Sequence, residues 1–112
     1  MSSVYKFNLE GAGPIAVTAT VPVGQHYRLI GVSCRWAAAP TTSEFFTVTA
    51  DLNAGAAYDV LLYTVDPSVA ATYSLLFLPD QEQIFEGGDA IDVTFANTDA
   101  RHWGVQITMK AV

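Results

Sequence analysis

The chain has 112 residues, a formal net charge of −6 and only 14% charged residues, although 51% of its residues are apolar. This length predicts one domain, residues 1–112, that can bury a hydrophobic core without disulfides or bound metals. The single cysteine excludes an internal disulfide. Typical domains are about 25% charged, so the low value indicates that part of the surface meets another protein.

The charges are unevenly placed along the chain. Between Arg35 and Arg101 there is no Lys or Arg, whereas the same span holds ten acidic residues. Nucleic acids and anionic membranes attract proteins through Lys and Arg, so this distribution predicts neither as a partner. A basic partner or a bound cation fits better. No apolar run approaches the roughly 18 residues of a membrane helix, and residues 1–6 lack a secretory leader, which predicts assembly in a cytosol.

Short stretches of alternating apolar and polar residues, separated by turn residues, predict strands. In chain order the predicted strands are 4–9, 15–21, 26–37, 44–52, 58–65, 73–78, 90–96 and 102–110, with Ile84 and Phe85 a candidate for a further short strand. No stretch has a helical period longer than a turn or two. The pattern predicts an all-β antiparallel sandwich, an eight-stranded jelly roll of two four-stranded sheets, with a closed barrel as the alternative.

The last quarter of the chain, residues 87–112, has the clearest alternation and is interpreted as a β-hairpin. Residues 97–101 contain the turn formers Asn97 and Asp99 and would join its two arms. Trp103 falls on the inward phase, so we expect it in the core between the sheets. The other inward residues are Ile91, Val93, Phe95, Val105, Ile107 and Met109.

Residues 58–65 and 73–78 are apolar almost throughout, which is typical of strands covered on both faces. A sandwich covers only one face of each sheet by itself, so the second face predicts a symmetric homo-oligomer. Phe45 has the opposite phase to Phe46 and is expected outside. The predicted interface residues are Phe45, Leu61, Tyr63, Val65, Leu76 and Leu78.

Candidate catalytic residues are few. Cys34 shares its predicted inward phase with Ile30, Val32 and Trp36, which favours a buried, unreactive thiol. His26, His102 and Cys34 fall short of a four-ligand zinc site. The acidic residues between 80 and 99 could supply calcium ligands, but a solvated rim is the preferred interpretation. We therefore predict no catalytic, cofactor or metal residues, and a protein that is not an enzyme.

The aromatic residues leave one alternative open. Exposed rings could stack on sugars, as in carbohydrate-binding sandwiches. Trp36 and Trp103 both have the inward phase, which favours core packing over ligand stacking. A sugar-binding module predicts at least two exposed aromatic side chains on one face or rim.

Several motifs of the C-terminal third stand out: Phe77-Leu78-Pro79, the Gly-Asp strand entry at 85–94, Ala96-Asn97-Thr98-Asp99, and Trp103-Gly104 with the strand that follows. Together they resemble small all-β virion proteins of tailed bacteriophages. The resemblance implies a non-enzymatic capsid decoration protein, a homotrimer that binds the major capsid protein in the virion after assembly in the host cytoplasm. A phage tail or fibre accessory subunit and a carbohydrate-binding module are the alternatives.

Overall fold

A computed structural model describes residues 4–112, which are built almost entirely of β-strands. The strands are β1 (Val4–Gly11), β2 (Ile15–Thr20), β3 (His26–Trp36), β4 (Phe46–Asp51), β5 (Val60–Val65), β6 (Ser74–Phe77), β7 (Ile84–Glu86), β8 (Ala90–Phe95) and β9 (Trp103–Ala111). A 3-10 helix (Ala56–Tyr58) and the four-residue α1 (Pro67–Ala70) are the helices of this range. Neither is long or apolar enough to cross a membrane. Residues 1–3, on which the prediction about a secretory leader partly rests, lie outside the described residues.

The strands form two antiparallel sheets packed as a sandwich, which confirms the predicted fold class. One sheet has the order β1-β9-β3-β6, and β7 also pairs with β3. The other has the order β2-β8-β4-β5. The prediction of two four-stranded sheets is therefore wrong by one strand, because β7 pairs with the start of β3, beyond the four residues paired to β6. When β7 is left aside, the strand orders of the two four-stranded sheets are consistent with the predicted jelly roll.

The core lies between the sheets and is formed by the inward residues of each alternating strand. Ile15, Val17 and Ala19 of β2 are buried against Val105, Ile107 and Met109 of β9 and their neighbours in one cluster. Both tryptophans belong to that cluster, as predicted for Trp103. The Trp36 ring meets the Phe95 ring edge to face, with centroids 5.2 Å apart, a favoured aromatic geometry.

The C-terminal segment is not a hairpin, because its two arms lie in different sheets. β8 pairs with β2 and β4, whereas β9 pairs with β1 and β3. The connection turns at Asn97 and Ala100, which have φ of 54° and 52°. The buried Asn97 amide donates to the carbonyls of Ala12, Gly13 and Arg101. These bonds hold the chain as it crosses the roughly 10 Å between packed sheets.

A bulge in β3 overturns one predicted orientation. The β3–β9 register shifts between Leu29 and Gly31. Because a bulge inserts an extra residue, Leu29 is buried and Ile30 points to the outside. Val32, Cys34 and Trp36 keep the predicted inward phase, since they follow the bulge.

Candidate functional site

Two surfaces of the sandwich stand out: an apolar side and a basic sheet face. β5 and β6 are the edge strands of the two sheets, and the Tyr63 and Phe77 rings stack between them with centroids 5.0 Å apart. The two edges therefore lie on the same side of the sandwich, joined by α1. We call this the apolar side, defined by the exposed residues Tyr58, Val60, Leu61, Val69, Tyr73, Leu76 and Leu78.

The apolar side is almost free of charge. Of the fourteen large apolar side chains exposed among residues 4–112, eight lie between 58 and 84. Asp66 is the only charged residue from 60 to 78, and its carboxylate accepts hydrogen bonds from the Ser43 hydroxyl and from the Ser68 hydroxyl and backbone N–H. The Ser43 bond, followed by those of Ser68, lowers the Asp66 pKa. This carboxylate therefore caps α1 and anchors a neighbouring loop.

The six predicted interface residues divide into two groups. Phe45, Leu61, Leu76 and Leu78 are exposed by 58% to 66%. Tyr63 and Val65 are instead half-buried and pack against the chain's own core, because the β4–β5 register shifts between Leu61 and Tyr63 and reverses the phase of β5. Leu61 lies across from Thr49 on the four-stranded sheet, and Leu76 lies across from Ser33 on the five-stranded sheet. The structure thus leaves four of the six free to meet a partner.

The second surface is the outer face of the five-stranded sheet, which we call the basic face. Its strands bring together four of the five basic residues in the chain, all but Arg101. Lys110 is the cross-strand partner of Arg28 and of Val4, whereas Lys6 lies opposite Thr108. Each of these residues alternates with an inward neighbour, such as Met109 or Leu29, which places the charges outside. The basic face consists of Lys6, Asn8, Glu10, Arg28, Ser33, Arg35, Gly104, Gln106, Thr108 and Lys110.

A groove of about 600 Å³ runs over this face at Gly104. A side chain at Gly104 would meet no atom within 4 Å, so the absence of a side chain itself makes the depression. Glu10 and Arg35 are its two cross-strand partners and form opposite walls. The Arg35 guanidinium lies 5.4 Å from the centroid of the Tyr73 ring, and Glu10 Oε2 lies 3.5 Å from His102 Nε2. The groove is also lined by the polar residues Asn8, Ser33, Ser74 and Gln106 and by the apolar residues Leu9, Cys34 and Val105.

Arg35 keeps its charge available to a ligand. Among residues 4–112 the ion pairs join Arg28 to Glu82 and His102 to Glu10, and neither involves Arg35. Its guanidinium lies over the Tyr73 ring, and the residue lines the groove. Sequence reasoning missed this groove, because its residues come from four strands and form no local motif.

The outer face of the four-stranded sheet is different in chemistry. Its strands contain no Lys or Arg, and it presents threonines together with Asp51 and Asp92. A hydrogen bond with Asp92 and the charge of that carboxylate raise the Asp51 pKa. The Thr18 hydroxyl donates to Asp92 Oδ1 over 2.9 Å. This face therefore concentrates negative charge on the side of the sandwich opposite the basic face.

Two other acidic residues of the run from 80 to 99, Asp89 and Asp99, have separate structural roles. Asp99 accepts hydrogen bonds from the backbone N–H groups and hydroxyls of Thr41 and Thr42. The Thr42 backbone bond is the largest cause of a strongly lowered Asp99 pKa. Asp89 accepts from the backbone of Asn53 and Glu86. Within residues 4–112 no group of three His, Cys, Asp or Glu side chains is placed to hold a metal ion.

The candidate nucleophile and bases of the sequence are not brought together. Cys34 is buried, and that burial raises the pKa of its thiol to about 12. His26 begins β3, whereas His102 precedes β9, whose start pairs with the end of β3. The two histidines consequently lie at opposite ends of the five-stranded sheet. The low reactivity expected of Cys34 stays a prediction, motivated by this burial.

The sequence matches no protein-family model and no curated protein.

Proposed function

We propose that this protein is a non-enzymatic structural subunit of a phage virion, a capsid decoration protein that self-associates through its apolar side and binds the capsid shell. The observation that supports this most is the apolar side itself. Single exposed apolar residues are normal on any surface, but here several lie on two nearly uncharged edge strands, with Leu61 on the outer face of one sheet and Leu76 on that of the other, and this supports an interaction site.

The backbone of the edge strands supports the same proposal. β5 pairs only with β4, and β6 pairs only with β3, so each has one side without a strand partner among residues 4–112. Open edges next to apolar side chains promote association, and proteins usually protect them with charges, prolines or bulges. Here β5 and β6 contain no charged residue or proline, and the one such device is the register shift of β5 at Leu62. A second copy of the chain would cover both the edges and the leucines.

Closed symmetry would keep such a patch from causing open-ended aggregation, because every copy's patch is then used. The trimer is the part of the proposal that comes from the resemblance to virion proteins. The remaining contact is with the major capsid protein. The outer sheet faces carry opposite charges, so binding to the shell should weaken with added salt.

Light scattering on the purified chain at tens of micromolar tests the self-association. We expect a trimer for the unaltered chain and a monomer for Leu76→Asp, because a charge in the patch would have to be desolvated. Val23→Asp is the matched control, since Val23 is 92% exposed but lies outside the apolar side. Co-sedimentation with capsids of the encoding phage tests the second half. A monomer that binds no capsid would overturn the proposal.

A further inference from the structure

We propose that the basic face binds an anionic polysaccharide, with one sugar acid seated in the groove over Gly104 and its carboxylate on Arg35. This site adjoins the apolar side, because Tyr73 of that side lies beside Arg35 and Ser74 of β6 lines the groove. The proposed binding requires neither self-association nor contact with a capsid. It is defined by Asn8, Glu10, Arg35, Gly104 and Gln106, with Lys6, Arg28 and Lys110 further along the same face.

The groove has the size and the chemistry of a small-ligand site. Its volume of about 600 Å³ falls within the usual range for such sites. A sugar ring carries several hydroxyls, each of which both donates and accepts. The amides of Asn8 and Gln106 and the hydroxyls of Ser33 and Ser74 offer both functions, whereas Glu10 accepts. These polar groups suit the hydroxyls of a sugar ring, beside the apolar lining of Leu9, Cys34 and Val105.

Arg35 selects for an acidic sugar. Its guanidinium has no carboxylate partner among residues 4–112, and the Tyr73 ring supports it from one side. A planar guanidinium binds a carboxylate through two parallel hydrogen bonds, which gives both strength and orientation. Glu10, on the opposite wall, lies beside His102 and would accept from ring hydroxyls. A carboxylate seated toward Arg35 therefore also avoids Glu10.

The strand register extends this single site into a track. Arg35 and Arg28 are seven positions apart on β3, so the positively charged positions span about 20 Å along the strand. Arg28, which also contacts Glu82 at 4.0 Å, lies opposite Lys110, and Lys6 lies on the strand beyond. The track suits a polymer with a repeated negative charge. The net charge of −6 opposes such a ligand, but Asp51 and Asp92 lie on the opposite outer face and are screened beyond about 8 Å at physiological salt.

The same face is a poorer match to single-stranded nucleic acid. Sites of that kind combine a basic groove with several aromatic side chains on which successive bases stack. Along the basic face the exposed aromatic residue is Tyr73, and Arg35 occupies its ring. The other exposed rings, Phe45 and Tyr58, belong to the loop before β4 and to the 3-10 helix.

Calorimetric titration of the full chain with three hexamers tests the proposal: galacturonic acid, neutral glucose and deoxythymidine. We expect binding of the acidic sugar, weakened by added salt, and no measurable binding of the neutral one. Arg35→Gln should weaken binding about tenfold, the scale of a lost charge-assisted hydrogen bond. Gly104→Leu should do the same by filling the groove while every charge stays in place.

Ala16→Leu is the control for Gly104→Leu, since it adds the same side chain to the exposed surface of the other sheet. Arg101→Gln is the control for Arg35→Gln, because it removes the one basic residue outside the basic face. Thermal melts establish that each variant is folded. The proposal is overturned if the acidic sugar fails to bind at millimolar concentration, if Gly104→Leu binds like Ala16→Leu, or if the neutral sugar binds equally well. If the deoxythymidine hexamer binds more tightly than the acidic sugar, the polysaccharide proposal is wrong and the basic face is a nucleic-acid site.

Discussion

β8 and β9 alternate apolar with polar residues, whereas β5 and β6 are apolar almost throughout, and the two pairs of strands bury their apolar side chains to different extents. β8 lies between β2 and β4, and β9 lies between β1 and β3, so each is flanked by a strand on both sides. β5 and β6 are edges. In the central strands nearly all large apolar side chains are buried, whereas Leu61 and Leu76 on the edges are mostly exposed.

This difference shows that an apolar stretch of sequence does not determine which part of the protein, if any, buries the two faces of its strand. The continuous runs at 58–65 and 73–78 predict strands covered on both faces, but within the described chain only one face of β5 and β6 is covered. In the central strands β8 and β9, apolar residues that face the core alternate with polar residues that face water. On a short edge strand, a leucine that points to the outer face leaves apolar surface exposed to water. We infer that a second copy of the chain covers this surface.

The largest effect should come from the central strand β9. Trp103 is buried, its indole N–H donates to the Gly13 carbonyl over 2.7 Å, and Gly11 packs on its ring. Trp103→Ala should cost about 3–5 kcal/mol of unfolding free energy, through lost transfer energy and a cavity. Urea melts measure this. A loss under about 1 kcal/mol would show that the centre of the sandwich is no better packed than its edge.

The second effect concerns the connection that carries the chain between the central strands. Asn97→Ala removes three hydrogen bonds from the buried Asn97 amide to backbone carbonyls and leaves a Cβ at positive φ. We expect a loss of about 1–3 kcal/mol. Asn97→Gly loses the same bonds but suits the backbone, so it should cost less than the alanine. Equal melts for the two variants would contradict the role given to the left-handed backbone.

A third prediction compares adjacent leucines on the edge strand β6. Leu75 is buried, whereas Leu76 is 63% exposed. In dilute solution, where the chain is monomeric, Leu75→Ala should cost about 2–5 kcal/mol, but Leu76→Ala no more than about 0.5 kcal/mol. At high concentration Leu76→Ala should instead reduce the apparent molecular mass in light scattering. If Leu76→Ala destabilises the monomer as much as Leu75→Ala, the apolar side is part of the monomer's core.

The smallest effect should be a gain. The Asp51 pKa is raised by Asp92 above its ordinary value of 3.8, so ionised Asp51 destabilises the fold at neutral pH and this penalty disappears as the pH falls through the raised pKa. Asp51→Asn should therefore raise the unfolding free energy slightly at pH 7 and not near pH 4. Asp80→Asn is the matched control. A gain for Asp51→Asn that does not depend on pH would exclude repulsion as its cause.

Much of the fold follows from the sequence alone, because alternation is a local property. The strands, the buried phase of Cys34, Trp36 and Trp103, and the sandwich class depend on residues two apart along the chain, and the structure confirms them. The exceptions are also local in cause. Ile30 faces outward because one bulge reverses the phase of a strand. β7 is only three residues long, too short for a firm pattern.

Pairing between distant strands was decided by the tertiary structure. The arms 90–95 and 103–111 have the pattern of a hairpin, but they enter different sheets because Asn97 is held by carbonyls more than eighty residues away. Likewise Lys6, Arg28, Arg35 and Lys110 are scattered in a chain of acidic character, and only the register of β1, β9 and β3 places them on one face. The alternation along the sequence indicates whether each side chain points inward or outward. Which strands become neighbours in a sheet depends on how the whole core packs.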